Sequence, residues 1–239
     1  METSLHQELK QLYAGDEAQV EVRLGNYRID VVRVDGARGD ELIEIQHGSL
    51  AAIRDKVREL LGAHRVRIVK PIVAGKLLVK RSRKGGRVVE RRRSPKQGTL
   101  LDVFDELVYF TKVFPHPRLT LEVVLVEIEE WRYPGHGRRR RYRKNDFVVE
   151  DQKLCAVHSM HCLSTAADLC GLIPPGLPSP FHTGQLSQTL GAPRWIAQRV
   201  AYCLREMGAA KVIGKQGNAL LYEFAAASVG KKKRRTPAA

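Results

Sequence analysis

Apolar and polar residues alternate with a period of two through "AQVEVRL", "YRIDVVRV" and "ELIEIQ", which predicts three short β-strands within residues 18–46. On both sides the period lengthens to that of a helix. Leu5, Leu9 and Leu12 recur at helical spacing in "TSLHQELKQLY", with Thr3 or Ser4 as the cap. In "SLAAIRDKVRELLGAH", Leu50, Ile53, Val57, Leu60 and Leu61 form an apolar stripe, Ser49 caps its start and Gly62 ends it. Three strand-like runs follow, "RVRIVKPIV", "GKLLVKRS" and "RVVERRR", punctuated by glycines. "TLLDVFDELVYFTKVF" then reads as a second amphipathic helix and "LTLEVVLVEIEEW" as a long strand.

At "RYPGHGRRRRYRKND" the composition turns to Pro, Gly and Arg, the mark of a linker or hairpin tip. Beyond it come strand-like "QKLCAVHSM", a short helix "TAADLCGLI", the Pro-rich turn "PPGLPSP", helices "TGQLSQTLG" and "RWIAQRVAYCLREMG", and extended "AKVIGKQGNALLYEF". The pattern divides the chain into a first domain over residues 1–133, a basic connection over 134–146, a second domain over 147–229 and a basic tail over 230–239 that is expected to be disordered.

Charge changes this picture. The 239 residues hold 41 Lys and Arg against 26 Asp and Glu, a net +15, and such a surface favours polyanions: nucleic acid or an anionic membrane. No apolar run reaches the length of about 18 residues that a membrane helix needs, and "METSLHQELKQLYAG" lacks a signal peptide's apolar core. Cys155, Cys162, Cys170 and Cys203 follow no regular framework, which suits a reducing cytoplasm. A cytoplasmic protein with a duplex DNA partner is the expectation.

The candidate chemistry starts from two acids inside apolar strands. A hairpin turning near Ala37 sets Asp30 opposite Glu44, with Gln46 on the same face as Glu44. Facing carboxylates repel unless a cation lies between them, and an oxygen-rich pocket suits magnesium or manganese. Solvent-facing strand acids paired with Arg28 or Arg33 are the simpler alternative. An acid on one strand, then Glu-x-Gln on its partner and an immediately following helix, resembles the PD-(D/E)XK nuclease superfamily, and the element order of residues 3–73 is similar to that restriction-endonuclease-like core. The resemblance implies Asp30, Glu44 and the Ile45 carbonyl as ligands of Mg2+ or Mn2+, Gln46 at the place of the motif's lysine, and Glu8 as a further acid. The chain departs from the motif at Ile29, where the family often has proline, and at Gln46, whose neutral side chain cannot stabilise developing negative charge as an ammonium does. Lys70 on the next strand-like run could supply that charge.

"FHTGQLSQTLGAPRWIAQRVAYCLREMGAAKVIGKQGNALLYEF" resembles a winged helix-turn-helix: Leu186 and Leu190 on a short helix, a turn at Gly191–Pro193, and Trp195, Ile196, Val200, Cys203, Leu204 and Met207 as the buried side of a longer one, with a two-stranded wing turning at "KQGN". The resemblance implies Arg194, Gln198 and Arg199 near DNA bases, and Lys211, Lys215 and Gln216 near phosphates. The runs Lys80–Lys96 and Arg138–Lys144, with Arg138, Arg139, Arg140 and Arg141 at its head, would track a duplex backbone. "CAVHSMHC" has the ligand types for zinc but not a usual finger spacing, and cysteines and histidines of a core strand are the preferred explanation.

The expected fold class is therefore α/β, a mixed-sheet restriction-endonuclease-like core, plus a C-terminal winged-helix α+β domain; the whole chain also resembles an uncharacterised bacterial family of this architecture. The first expected function is a metal-dependent DNA endonuclease, in which a homodimer would permit a double-strand cut. The alternative, kept open by Gln46, is a non-catalytic DNA-binding regulator or adaptor on an inactive nuclease-like domain.

Overall fold

A computed structural model describes residues 2–15, 18–34, 39–135 and 146–225. The fold is mixed α/β. Helix α1 (Ser4–Ala14) leads into β1 (Gln19–Leu24), β2 (Tyr27–Arg33) and β3 (Glu41–Ile45); α2 (Arg54–Leu60), β4 (Arg65–Arg81), β5 (Val88–Arg93), α3 (Val103–Leu107), β6 (Leu119–Pro134) and β7 (Phe147–Leu163) follow. The seven strands form one sheet in the order β1-β2-β3-β4-β6-β7, with β5 paired to β4. The C-terminal segment adds α4 (Ala166–Cys170), α5 (Thr183–Leu190), α6 (Arg194–Glu206) and a separate hairpin of β8 (Ala210–Gln216) and β9 (Ala219–Phe224).

These elements group into two compact units drawn from alternating stretches of chain. Among the described residues, the first takes those of Met1–His47, Arg67–Thr99 and Glu122–His161, and the second those of Gly48–Val66, Leu100–Leu121 and from Cys162 to 225. The sequence suggests a division at 134–146 because composition changes there. Contacts instead gather α2 and α3 with the C-terminal helices, a grouping that a linear pattern does not carry.

In the first unit, Leu5, Leu9 and Tyr13 of α1 pack on Val31, Ile43, Ile45, Val69, Val124, Val126 and Ile128 of the sheet. Leu12, expected in that stripe, is exposed, and Tyr13 at four residues from Leu9 takes its place. Gly15, at φ 58°, ends the helix where a side chain would be strained. Helix α1 is tied to β7 by carboxylates: Asp151 accepts from the Ser4 amide at 2.9 Å and the Ser4 hydroxyl at 2.6 Å, and Glu8 accepts from the Leu154 amide at 2.6 Å. Asp151→Ala removes the first two bonds and is expected to cost about 1–2 kcal/mol in urea unfolding; a midpoint unchanged from wild type would show that the tie adds nothing.

Two expected helices are shorter than their apolar patterns. Ser49 does cap, its hydroxyl accepting from the Ala51 amide at 3.3 Å, but Leu50–Ile53 is a tight 3-10 turn and the α-helix starts only at Arg54. After α3 the chain runs in turns, yet Phe110 and Phe114 are fully buried there. Their periodicity reports burial, and turns satisfy it as well as a helix. No described helix is long and apolar enough to cross a membrane.

The cysteines sort by environment. Burial pushes the Cys203 thiol up to about 12, and its Sγ lies 3.8 Å from the Phe104 carbonyl; burial likewise pushes Cys170 up to about 11. Cys155 and Cys162 are exposed. Burial, with the charge of Glu129, also pushes the Cys155 thiol up, so exposure decides the order: maleimide labelling of the native protein should modify Cys155 and Cys162, with Cys170 and Cys203 reacting only on unfolding, and peptide mass mapping reads it. The core-strand explanation of "CAVHSMHC" thus needs correction: β7 lies at one end of the strand order, His158 is 3.8 Å from Glu127, and His161 is 3.0 Å from the Ser159 hydroxyl.

Candidate functional site

The antiparallel pairs Val31–Ile43, Val32–Leu42 and Arg33–Glu41 fix the register of β2 on β3 and end one residue short of Asp30 and Glu44, where the Ile45 amide bonds the Asp30 carboxylate instead. The pairs that β2 and β3 do make share the residue count that a turn near Ala37 predicts, and Ala37 itself lies outside the described residues. Both oxygens of Asp30 are engaged. Oδ2 accepts from the Ile45 amide at 2.8 Å, and Oδ1 is 3.2 Å from Nε2 of His6 on α1. The same Nε2 is 3.3 Å from Glu2, spaced four residues away. Lys10, a further four along, contacts Glu2 and donates to Glu21 at 2.7 Å, and Glu21 also pairs with Arg28. Asp30, His6, Glu2, Lys10, Glu21 and Arg28 thus form one connected chain of polar contacts.

Burial acts most strongly on the Asp30 carboxyl and works against its charge. The hydrogen bonds from His6 and the Ile45 amide, helped by the charges of His6 and Lys10, overcome it and hold the group below the ordinary aspartate range. A depressed folded value stabilises the fold above the unfolded aspartate value of about 3.9, and that contribution is lost as pH falls through the lower folded value. Urea midpoints should therefore hold from neutral pH down to about 4 and drop below it, with a shallower drop in Asp30→Asn. An identical acid limb in the variant would remove Asp30 from the acid-sensitive set.

The other proposed site residues divide. Glu44 is buried. The Gln46 amide donates to the Val69 carbonyl at 2.9 Å and pins the end of β3 to β4. Lys70, also buried, donates through Nζ to the His47 carbonyl at 3.1 Å, one residue from Gln46. Glu8 does not join them, since its carboxylate serves the Leu154 amide. His6 was missed from sequence; its signal is the four-residue spacing of Glu2, His6 and Lys10 beside the Leu5–Leu9 stripe.

Magnesium or manganese would need several oxygen ligands. Here Asp30 is already shared between a histidine and a backbone amide, and no group of three or more His, Cys, Asp or Glu among the described residues is placed to hold an ion.

The basic run at Lys80–Lys96 is less bare than its sequence. Arg81 pairs with Glu150 at 3.4 Å, Arg91 with Glu129 at 3.6 Å and Arg93 with Glu127 at 3.0 Å, so β6 and β7 add acids to the run's own Glu90, which pairs with Arg92 at 3.4 Å. Arg83, Lys84 and Arg87 stay exposed at the β4–β5 turn. The second run, with Arg138, Arg139, Arg140 and Arg141, lies outside the described residues.

In the second unit, Gly191 takes the left-handed conformation at φ 59°, so the chain leaves α5 and re-enters a helix within a few residues. Helix α6 buries Ile196, Ala197, Val200, Ala201, Cys203 and Leu204. Trp195, expected on that side, is 49% exposed, because alanines 197 and 201 complete the buried stripe and turn position 195 outward. Arg194, Gln198 and Arg199 face solvent, but Arg199 is bound to Asp105 of α3. On the hairpin, Lys211 pairs with Glu223 at 3.1 Å, whereas Lys215 and Gln216 are exposed at the end of β8.

The family described as a domain of unknown function (DUF8091) matches residues 3–164. An uncharacterized protein of Treponema pallidum (strain Nichols) is 30% identical over 222 residues, which takes in 92% of this chain and 84% of the relative. No solved structure matches the chain.

Proposed function

The chain belongs to the family described as a domain of unknown function (DUF8091); we propose that it binds nucleic acid through α5, α6 and the β8–β9 hairpin, with the seven-stranded sheet serving as a scaffold that does not hydrolyse its ligand. The observation that carries the reading is the surface of the second unit. Helices α5 and α6 and the β8–β9 hairpin turn Arg194, Gln198, Lys215 and Gln216 to solvent, in a chain of net charge +15. The scaffold role is supported by Asp30, whose carboxylate is spent on His6 and the Ile45 amide, by Gln46 in place of a lysine, and by the diversion of Glu8 to β7.

Fluorescence anisotropy with a labelled duplex and its separated strand, over a salt series, tests this. Binding should weaken steeply as salt rises. The double substitution Arg194→Ala, Lys215→Ala should weaken it further and reduce the salt slope by about 2, one for each phosphate contact removed. If wild-type protein binds neither form at low salt, the proposal fails.

A second reading is metal-dependent phosphodiester hydrolysis at Asp30 and Glu44 with magnesium or manganese. It is favoured by the β2–β3 register, whose last pair, Val31–Ile43, lies one residue from both acids, and it requires His6 to leave Asp30. Plasmid incubated with either metal should stay intact. Nicking that disappears in Asp30→Ala, Glu44→Ala would replace the scaffold role with a nuclease.

A further inference from the structure

Helix α6 shows water two aromatic rings where a groove-reading helix carries hydrogen-bonding side chains. Trp195 is 49% exposed and Tyr202 36%. Seven residues apart, they share one face about two turns, or roughly 10 Å, from each other along the axis. With Gln198, Arg199 and Val108 they line a shallow groove of about 280 Å³, and Tyr109, beside Val108, is exposed as well. Each ring of α6 has a guanidinium stacked on it: Arg199 lies 4.7 Å from the Trp195 centroid and Arg205 lies 5.5 Å from that of Tyr202. The contact with Asp105 holds Arg199 in place, so it serves the indole and is not free to reach a base edge.

The charges around the groove fit an anionic ligand. Asp105 and Glu206 are already matched, Asp105 by Arg199 and Glu206 by Lys112 and Arg205. Arg194, at the start of the same helix, is exposed. A ligand that offers flat rings on an anionic backbone satisfies both features, and every nucleobase has a π-face to stack. Resting on the nucleic-acid reading above, we propose that this face of α6 takes unpaired bases, stacked on Trp195 and Tyr202. The preferred ligand of the second unit is then single-stranded nucleic acid, not the base edges of an intact duplex.

The chain has two tryptophans, so Trp131→Phe leaves Trp195 as the sole indole reporter. A single-stranded oligonucleotide should quench that emission and bind more tightly than a duplex of the same length. Trp195→Ala and Tyr202→Ala should each weaken single-strand binding by roughly tenfold or more, with Trp195→Phe keeping part of the affinity and the salt slope unchanged. Circular dichroism confirms that these surface variants are folded. Duplex bound as tightly as single strand, with Trp195 emission unmoved, overturns the stacking inference and leaves nucleic-acid binding intact. Absence of binding to either form removes both. A dimer in sedimentation that Trp195→Ala dissociates, with oligonucleotide affinity unchanged, would make the groove a self-association surface and also overturn the inference.

Discussion

Arg67→Ala is expected to lower the folding free energy by about 3–5 kcal/mol, the largest loss foreseen for a charged residue of this chain. Arg67, on β4, donates to Glu122 at 2.5 Å and to Glu41 at 3.1 Å, and each glutamate is only 5% exposed. Burial opposes the guanidinium's charge most strongly, but the hydrogen bonds and charges of the two glutamates overcome it and raise its pKa further. Alanine would leave Glu122 without that partner. Glu41 would keep Arg33, at 3.7 Å. A carboxylate left in a low-dielectric site favours its protonated form, so the deficit should be greatest at neutral pH and shrink towards acid. The triple variant Arg67→Met, Glu41→Gln, Glu122→Gln should recover much of the loss, because it removes the uncompensated charge and keeps the volume. Urea midpoints of the three proteins at two pH values decide the matter. A single variant within about 1 kcal/mol of wild type at neutral pH would mean that water reaches the glutamates and that the triad is a surface feature.

The local part of this architecture was readable from the residues. Period-two alternation located β1, β2 and β3 and the register that pairs Val31 with Ile43, because a strand's side-chain period leaves one register per buried face. Length was harder. Gly75 reads as a break between two runs, yet β4 continues through it from Arg65 to Arg81, and a Cβ at that position would lie 3.3 Å from the Glu127 side chain, so close approach to β6 explains the glycine. The long-range part was not readable. Nothing in "ERRR" shows that Glu127 and Glu129 of β6 will meet those arginines, or that Glu8 will cap a β7 amide. The same holds at the candidate site. The sequence names Asp30, but the partner that commits its carboxylate, His6, sits on another element, and helix-to-strand packing alone brings the two together.

Phe181→Ala is the counterpart in the second unit, with an expected cost of about 3–5 kcal/mol. Phe181 is fully buried, its ring centroid is 5.8 Å from that of Tyr222 and 5.1 Å from that of Phe224, and its backbone exchanges hydrogen bonds of 2.9 and 2.7 Å with Tyr222. It therefore fastens the segment before α5 to β9. Alanine can keep the backbone pair but leaves a cavity beneath two aromatic residues. A two-stranded hairpin is marginal on its own, so β8–β9 depends on this packing to hold its place. Phe181→Leu, which fills most of the volume, should cost well under half as much. The functional consequence separates the parts of the proposed nucleic-acid face. If the hairpin contributes phosphate contacts through Lys215, Phe181→Ala should weaken binding and lower the salt slope by about 1 under conditions where most of the protein is still folded. If stability falls as expected while affinity and slope stay at wild-type values, the hairpin is support alone, and binding rests on Arg194 and the aromatic face of α6.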